Sequence, residues 1–289
     1  MSITLTQLRT FLVVAETGSV RAAAERLVVT QSAVSAALAS LQRSLRVALT
    51  RPRGRGLVLT EAGEVYAHHV RTALGLLEQG RVAAAGEVDP QQGQLRIAAV
   101  TTAGEQILPG LLASFRRSYP QAGVLLEVGN RERVWTLLDG HEADLVLGGR
   151  PTPGRSLVVH AVRPNELVVL APPDLARAAA GPVISWLGRQ HWLLREQGSG
   201  TRETTEVLLA GLELAPRTLT VGSNVAVRES VIAGLGVTLM SRDAAARELA
   251  QGALVELDTP VTPLHRDWCV VAHPGRLPAT AALFLAHLL

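Results

Sequence analysis

The chain has 289 residues, 47% of them hydrophobic and 18% charged, a composition typical of a globular protein with two domains or with one small and one divided domain. Its single cysteine, Cys269, excludes an internal disulfide framework, and without an apolar run of roughly 20 residues or a signal peptide we expect a cytoplasmic protein. The net charge of +3 divides into +6 on residues 1–60 and −3 on the remainder, which favours a polyanion-binding head, with chance clustering as the alternative.

Residues 1–60, which we call the head, predict three helices. Apolar residues recur at helical spacing until Gly18, which is a typical helix stop. Ser19 then caps a short helix over 20–27, and Thr30 caps a third helix that continues to about Leu45. Two short helices joined by a tight turn, the second with a polar and exposed start, predict a helix-turn-helix that can enter the major groove of DNA.

The stretch LTRPRGRGLVLT, which follows these helices, predicts a β-hairpin wing. Pro, Gly and Arg form its tip, and the β-prone run over 57–59 forms its returning strand. Arg51, Arg53 and Arg55 would face the phosphates of bound DNA. Each of these features is weak when taken singly, so a three-helix bundle with a basic loop is the alternative. Their order and charge together favour DNA binding.

The head resembles the winged helix-turn-helix of the LysR-type transcriptional regulators. The matching residues are LTQLRTFLVVAETGSVRAAAERLVVTQSAVSAALASLQRSL and GRGLVLTEAGE. The resemblance implies that DNA contacts come from the start of the third helix and from the basic residues, namely Gln31, Ser32, Ala33, Val34, Ser35, Arg43, Arg51, Arg53 and Arg55.

The recognition helix departs from the family at the positions after Ser35. Family members commonly carry Arg or Gln there, where this chain has Ala36, Ala37 and Ala39, so bidentate readout of guanine is excluded at these positions. Base recognition is therefore expected from Gln31, Ser32 and Ser35. Thr50 also stands where an aromatic residue is usual in the wing.

Residues 61–92 predict a long helix followed by a hinge. Thr60 caps it, and helical periodicity continues for about 25 residues with an apolar seam of Val65, Val70, Ala73, Leu77 and Val82. The segment is similar to the family's linker helix, which implies a homodimer paired through this helix and a homotetramer. The adjacent His68 and His69 could suggest a metal site, but neighbouring histidines on a helix straddle its faces. We expect no metal. The stretch GEVDPQQG, over 86–93, is typical of a hinge.

Residues 93–289 predict an α/β domain of two lobes. Strands and helices alternate with short loops from residue 94, which favours a mostly parallel sheet with helices on both faces. The run LVVHAVRPNELVVLAP has no helix and predicts a crossover, so we expect lobe I at about 93–162 and 266–289 and lobe II at about 163–265. This part resembles the periplasmic-binding-protein-like effector domain of the same family. It is most similar to the branch that controls sulfur assimilation (cysteine biosynthesis) and carbon-fixation operons.

A cleft between two such lobes, lined by loops at the carboxyl ends of strands, predicts an effector site for a small anionic metabolite. Hydroxyl groups, glycines and helix N-termini favour an anion there, and arginines would add charge-assisted hydrogen bonds. The candidate effector residues are Thr101, Thr102, Gly148, Gly149, Arg150, Ser199, Gly200, Thr201, Arg202, Ser223 and Asn224. Simple helix capping is the alternative for each Ser, Thr and Asn, and it is favoured for Ser223 and Asn224.

The motifs of common enzymes are absent from the sequence. The GSGTR stretch, from residue 198, lacks the lysine of a P-loop, the histidines have no metal-ligand spacing, and Cys269 lies in an apolar strand. Glu196 is the one acid–base candidate near the expected cleft. We therefore expect no enzyme and no cofactor, but a ligand-responsive transcriptional regulator that binds double-stranded promoter DNA. The alternative is a cytoplasmic small-molecule-binding protein with a vestigial DNA-binding head.

Overall fold

The computed structural model describes residues 3–54, 56–86 and 89–288, and the chain falls into two units. The first is Met1–Val82 with Asp139–Glu142, and the second is Ala83–Leu138 with Ala143–Leu289. Within the described ranges, every helix is too short or too polar to cross a membrane.

The head contains three helices with the predicted caps. They are α1 (Leu5–Thr17), α2 (Val20–Leu27) and α3 (Gln31–Leu45). Gly18 ends α1 in the left-handed conformation at φ 64°, where a residue without Cβ carries no steric penalty. The hydroxyls of Ser19 and Thr30 accept hydrogen bonds from the backbone N–H groups of Ala22 and Ala33, at 3.3 and 3.2 Å. The helix predictions for the head are confirmed because they depend on these local caps.

The wing is also confirmed, as an antiparallel pair of β1 (Thr50–Arg53) and β2 (Gly56–Leu59). The Gln42 side-chain oxygen on α3 accepts hydrogen bonds from the backbone N–H groups of Leu49 and Thr50, at 2.7 and 3.1 Å. These bonds fix the first strand of the wing to α3. The core beneath them is built on the fully buried Phe11 and Leu41.

The long helix α4 (Glu61–Gly86) starts as predicted, because the Thr60 hydroxyl accepts from the backbone N–H of Gly63 at 3.0 Å. The predicted single apolar seam is wrong. Val70 and Val82 are buried, whereas Val65 and Leu77 are more than half exposed. Val70 packs into the core of the head instead of lining one continuous stripe. Two of the five predicted seam residues are therefore buried within the chain and are not available to a partner helix.

The second unit alternates between two lobes. Lobe I begins with β3 (Gln94–Val100), α5 (Thr101–Gln106), α6 (Leu108–Ser118), β4 (Gly123–Gly129), α7 (Arg131–Asp139), β5 (Leu145–Gly149) and β6 (Val158–Arg163). Lobe II follows with β7 (Glu166–Ala171), α8 (Pro173–Arg177), α9 (Val183–Leu187), β8 (Trp192–Leu194), α10 (Gly200–Gly211), β9 (Thr218–Thr220), α11 (Asn224–Ile232), β10 (Thr238–Ser241), α12 (Ala246–Ala250), β11 (Val255–Glu256) and β12 (Leu264–His265). The chain returns to lobe I with β13 (Trp268–Ala272) and α13 (Ala279–Leu288).

The sheets of the second unit are mixed, so the expected mostly parallel sheet is wrong. In lobe I the order is β4-β3-β5-β13-β6, where β3 is parallel to both neighbours and β13 is antiparallel to both of its own. In lobe II, β10, β11 and β12 all pair antiparallel to β7, while β8 and β9 are parallel. The antiparallel pairs arise because β13 and β7 are reached through crossovers between the lobes rather than through βαβ units.

A buried ion pair stabilises the centre of lobe I. The Arg96 guanidinium on β3 lies 2.5 Å from the Asp144 carboxylate, and both side chains are at most 7% exposed. The Asp144 carboxylate also accepts from the backbone N–H of Arg96 at 3.0 Å. The pair is therefore satisfied on both sides, as a charge in a protein interior must be.

Two glycines of α4 give a matched test of how this helix packs against the head. A Cβ on Gly63 would lie 2.0 Å from the backbone oxygen of Leu49, whereas a Cβ on Gly80 would meet no heavy atom within 4 Å. We expect Gly63→Ala to lower the free energy of unfolding by about 2 kcal/mol. Gly80→Ala should raise it by about 0.5–1 kcal/mol, because alanine favours an exposed helix interior. Chemical denaturation followed by circular dichroism measures both, and equal effects would contradict the packing at Gly63.

Candidate functional site

A cavity between lobe I and lobe II brings together several of the predicted effector residues. Six of the predicted residues line it, namely Thr101, Thr102, Gly149, Ser199, Gly200 and Thr201. Its wall also contains Asn130, Arg131, Asn165, Arg195, Ser241 and Arg266, which the sequence reasoning missed. The cavity lies at the carboxyl end of β3 and at the N-terminus of α10, as expected for an α/β ligand site.

Arg150, Arg202 and Gly148 do not line the cavity, which corrects their assignment as effector residues. The Arg150 side chain is 65% exposed and pairs with Asp267 at 3.0 Å. The Arg202 guanidinium instead donates to the backbone oxygen of Arg195 at 2.9 Å and pairs with a glutamate one turn later on α10. Gly148 lies inside the sheet, opposite Cys269 on β13. Arg150 and Arg202 are no longer candidates for effector binding, because each guanidinium is bonded to an oxygen outside the cavity lining.

Ser223 and Asn224 also have structural partners. The Ser223 hydroxyl accepts from the backbone N–H of Ala226 at 3.1 Å. It therefore caps α11, which is the helix-capping role that the sequence favoured for it. Asn224 is 2% exposed, and its side-chain oxygen accepts from Arg195 while its amide N–H donates to Thr102 at 2.9 Å. Neither residue lines the cavity.

Ser199 and Thr201 behave differently from ordinary caps. Ser199 precedes α10 but forms no side-chain capping bond, although it is only 4% exposed. Neither its hydroxyl nor that of Thr201 has a hydrogen-bond partner in the described part of the chain. The first N–H groups of α10 also face no carbonyl of their own helix. Capping therefore does not account for these two hydroxyls, and they are available to a ligand.

The two crossovers between the lobes are bonded to each other at Asn165 and Arg266. The backbone N–H of Arg266 donates to the backbone oxygen of Asn165 at 2.8 Å, and the Asn165 side-chain amide donates to the backbone oxygen of Arg266 at 3.0 Å. Ser241 then donates to the Asn165 side-chain oxygen at 2.6 Å. These bonds fix the backbone of Arg266 at the point where its side chain borders the cavity.

The Arg266 guanidinium lies against the N-terminus of α10. A Cβ on Gly200 would lie 2.3 Å from its Nη2 atom, so a larger residue at this position would displace the guanidinium. Of the three arginines that line the cavity, Arg131 pairs with Glu203 at 2.9 Å and Arg195 pairs with Glu196 at 2.7 Å. Arg266 has no carboxylate partner in residues 3–54, 56–86 and 89–288. It is the one of the three without a carboxylate of the described chain at ion-pairing distance, because the nearby Glu203 is paired with Arg131.

The charge of Arg266 is held in unfavourable surroundings. Burial lowers the pKa of its guanidinium below the ordinary value, and the nearby Arg131 acts in the same direction, whereas Glu203 opposes them. The N-terminus of α10 adds partial positive charge at the same place. An anionic group in the cavity would relieve all of these effects. The arrangement is therefore suited to binding an anion.

The cavity does not have the groups of a catalytic centre. Cys269 is buried in β13, and burial raises the pKa of its thiol, which opposes formation of a nucleophilic thiolate. Glu196, the acid–base candidate, is held by Arg195 through two hydrogen bonds of 2.7 and 2.8 Å. Among the described side chains, no group of three His, Cys, Asp or Glu could hold a metal ion.

The head presents its predicted DNA-contacting residues at the start of α3 and on the wing. Gln31, Ser32, Ala33, Ser35, Arg43, Arg51 and Arg53 are exposed. Val34 is 1% exposed and packs in the core, so its side chain cannot reach a base and its inclusion is wrong. Arg55 lies outside the described residues.

Two family models together match nearly the whole chain. The model described as "LysR substrate binding domain" matches residues 89–289, and the "Bacterial regulatory helix-turn-helix protein, lysR family" model matches residues 5–64. Among curated relatives, the chain is 35% identical over 280 residues to the HTH-type transcriptional regulator CbbR of Rhodospirillum rubrum, covering 96% of this chain and 93% of that protein. It is 33% identical to the RuBisCO operon transcriptional regulator of Allochromatium vinosum, covering 98% and 94%.

Solved structures give the same result for both units. The regulatory domain of Synechocystis PCC6803 CcmR in complex with 2-PG is 31% identical, with a TM-score of 0.61, and covers 68% of this chain and 95% of that one. Full-length CbnR in complex with its target DNA has the same fold at 21% identity and a TM-score of 0.67, covering 98% of each chain. These relatives are named as regulators rather than enzymes, and the one from A. vinosum is named for the RuBisCO operon. The chain belongs to the LysR family of helix-turn-helix transcriptional regulators.

Proposed function

We propose that this chain is a LysR-type regulator whose binding to promoter DNA, or whose promoter activation, is controlled by a small anionic metabolite held between lobe I and lobe II. The observation that carries this proposal is the guanidinium of Arg266, which lies beside the N-terminus of α10 without an ion pair in the described chain. A cation that is partly buried without a counterion is unfavourable, because it loses hydration and gains no ion pair. An incoming anion supplies the missing charge.

The neutral donors around Arg266 fit an anionic oxygen. The hydroxyls of Ser199 and Thr201 have no partner in the described chain, and the first N–H groups of α10 point toward the cavity end of the helix. Hydrogen bonds to a charged group are shorter and about twice as strong as neutral ones. Carboxylate, phosphate and sulfate groups all fit this donor set, and a cationic group does not.

The relatives support a metabolite as the effector. The regulatory domain of CcmR was solved with 2-PG, and the A. vinosum relative is named for the RuBisCO operon. We therefore assign the effector to the small metabolites that accompany carbon fixation. Proteins that bind DNA act where the DNA is, so we place this chain in the cytoplasm.

For DNA recognition we propose two kinds of contact. Gln31, Ser32 and Ser35 at the exposed start of α3 read base edges in the major groove. Arg43, Arg51 and Arg53 contact phosphates, which gives affinity without sequence preference. The proposed division of the chain is a head of residues 1–60, a linker of 61–92 and an effector domain of 93–289.

We further propose that the chain acts as a homo-oligomer assembled through α4. Leu76 and Leu77 on this helix are about half exposed, as is Val65, and a partner helix would bury them. Dimers related by a two-fold axis read two half-sites, and a tetramer reads more. Closure of the effector cleft around an anion then changes how the heads of the oligomer span their half-sites.

The alternative, a small-molecule-binding protein with a vestigial head, is supported only by the alanines after Ser35. The exposed polar start of α3 and the exposed arginines of the wing favour a working DNA-binding surface. A mobility shift on DNA from upstream of the protein's own gene distinguishes the two, because a vestigial head would give no shift at any salt concentration.

The two classes of DNA contact lead to opposite mutational signatures. We expect Arg53→Ala to weaken binding to all DNA and to reduce the slope of log K against log salt by about 1. Gln31→Ala should cost about 1–3 kcal/mol on the cognate site and little on scrambled DNA. Fluorescence anisotropy on both DNAs at several salt concentrations measures this. The same loss on cognate and scrambled DNA for both variants would refute the division.

The anion site is tested by ligand-induced thermal stabilisation. Sulfate, sugar phosphates and small carboxylates are compared at constant ionic strength, and we expect at least one to raise the Tm of the full-length protein by several degrees. Arg266→Met should remove this shift without lowering the Tm in the absence of ligand, because the guanidinium has no partner to lose. Arg150→Met is the matched control and should keep the shift, since Arg150 is paired outside the cavity. Loss of the shift in Arg150→Met alone would overturn the assignment.

A further inference from the structure

A chain of hydrogen bonds at one end of the effector cavity has a fixed direction. It begins at Arg195, which is 7% exposed. Its Nε and Nη2 atoms donate to the two carboxylate oxygens of Glu196, at 2.7 and 2.8 Å, and its Nη1 atom donates to the side-chain oxygen of Asn224. A guanidinium has five N–H donors and no acceptor. The atom of Asn224 that faces Arg195 must therefore be the oxygen.

The orientation of Asn224 determines the role of Thr102. With its oxygen turned to Arg195, the amide presents its N–H group to the Thr102 hydroxyl oxygen at 2.9 Å. The hydroxyl oxygen accepts this bond, so the hydroxyl hydrogen remains to be donated. No acceptor for that hydrogen is present in the described chain, and Thr102 lines the cavity. Thr102 is therefore a donor toward the cavity.

The neighbouring Thr101 hydroxyl has the opposite hydrogen-bonding role, because it can only accept from a ligand. Its hydroxyl donates to the backbone oxygen of Gly129 at 3.2 Å, so only its lone pairs remain for a ligand. An unprotonated carboxylate, phosphate or sulfate oxygen accepts hydrogen bonds and cannot donate one. Such an oxygen is attracted by Thr102 and repelled by Thr101, although both residues line the same cavity.

We propose that Asn224 is a positioning residue that holds the Thr102 hydroxyl as a hydrogen-bond donor, and that this end of the cavity therefore takes an acceptor-only oxygen of the effector. The proposal rests on the proposed function, because it assigns the hydrogen-bond chemistry of the same anion site. Asn224 does not line the cavity but bonds to two residues that do, Arg195 and Thr102, and the proposed positioning acts through Thr102.

The same bond connects ligand affinity to closure. Asn224 begins α11 in lobe II, whereas Thr102 lies on α5 in lobe I. Asn224 can hold the Thr102 hydroxyl as a donor only while the two lobes are in contact. The lobes are also joined where Asn130 donates to the backbone oxygen of Gln197 at 3.2 Å. An anion that uses the Thr102 donor thus binds the closed form more tightly, which is the requirement for shifting that equilibrium.

The test uses sulfate binding to the full-length protein, measured by isothermal titration calorimetry at constant ionic strength. We expect Thr102→Val to weaken sulfate binding about tenfold or more, because a hydrogen bond to a charged oxygen is lost. The matched control Thr101→Val should change it less than about threefold. Thr102→Ser keeps the hydroxyl and should retain the wild-type affinity within about threefold.

A double-variant cycle isolates the role of Asn224. We expect Asn224→Ala to weaken sulfate binding nearly as much as Thr102→Val. The double variant should bind sulfate with an affinity within about twofold of that of the weaker-binding single variant. If the two losses multiply, Asn224 does not act through Thr102 and the proposal fails. Equal losses in Thr101→Val and Thr102→Val also overturn it. If wild-type protein binds no sulfate, the proposed anion site itself fails, and the two failures are thus distinct.

Discussion

The bonded pair of crossovers at Asn165 and Arg266 is the constraint on which the proposed effector site depends. Two chain segments that are distant in sequence pass between the lobes at this point, and each donates a hydrogen bond to the other. These bonds hold the backbone of Arg266 at the edge of the cavity, where its guanidinium lies against Gly200. The positive charge stays beside the N-terminus of α10. The other donors of the cavity, on both lobes, are arranged around that charge.

The N-termini of α3 and α10 differ in how their first backbone N–H groups are used. At α3, the Thr30 hydroxyl caps the helix and the following side chains project outward. At α10, the corresponding Ser199 leaves the helix uncapped, and the glycine behind it admits a guanidinium. The first arrangement stabilises a helix that presents itself to a partner. The second leaves helix donors unsatisfied so that a ligand can complete them.

The sequence predicted those parts of the molecule that depend on neighbouring residues. Gly18, Ser19 and Thr30 determine where the helices of the head begin and end, through contacts within a few residues. The glycines and hydroxyl residues of the loop before α10 were likewise recognisable in the sequence. Arg266 gave no signal, because its importance comes from a contact with Gly200, sixty-six positions earlier. Arg150 and Arg202 looked equally suitable, but each had a nearby oxygen that only the folded chain reveals. The mixed sheets were missed for the same reason, since strand direction depends on the crossovers.

That no carboxylate of the described residues pairs with Arg266 also bears on how long the protein persists in a cell. A ligand that binds only the folded state raises the free energy of unfolding, by about 2.7 kcal/mol at a hundredfold excess over its dissociation constant. Proteases remove the transiently unfolded fraction, and differences of about 1–2 kcal/mol change abundance several-fold. If the proposed anion binds at Arg266, the turnover of the regulator therefore depends on the supply of its effector. Scarcity of the metabolite would reduce the number of regulator molecules as well as the occupancy of each one.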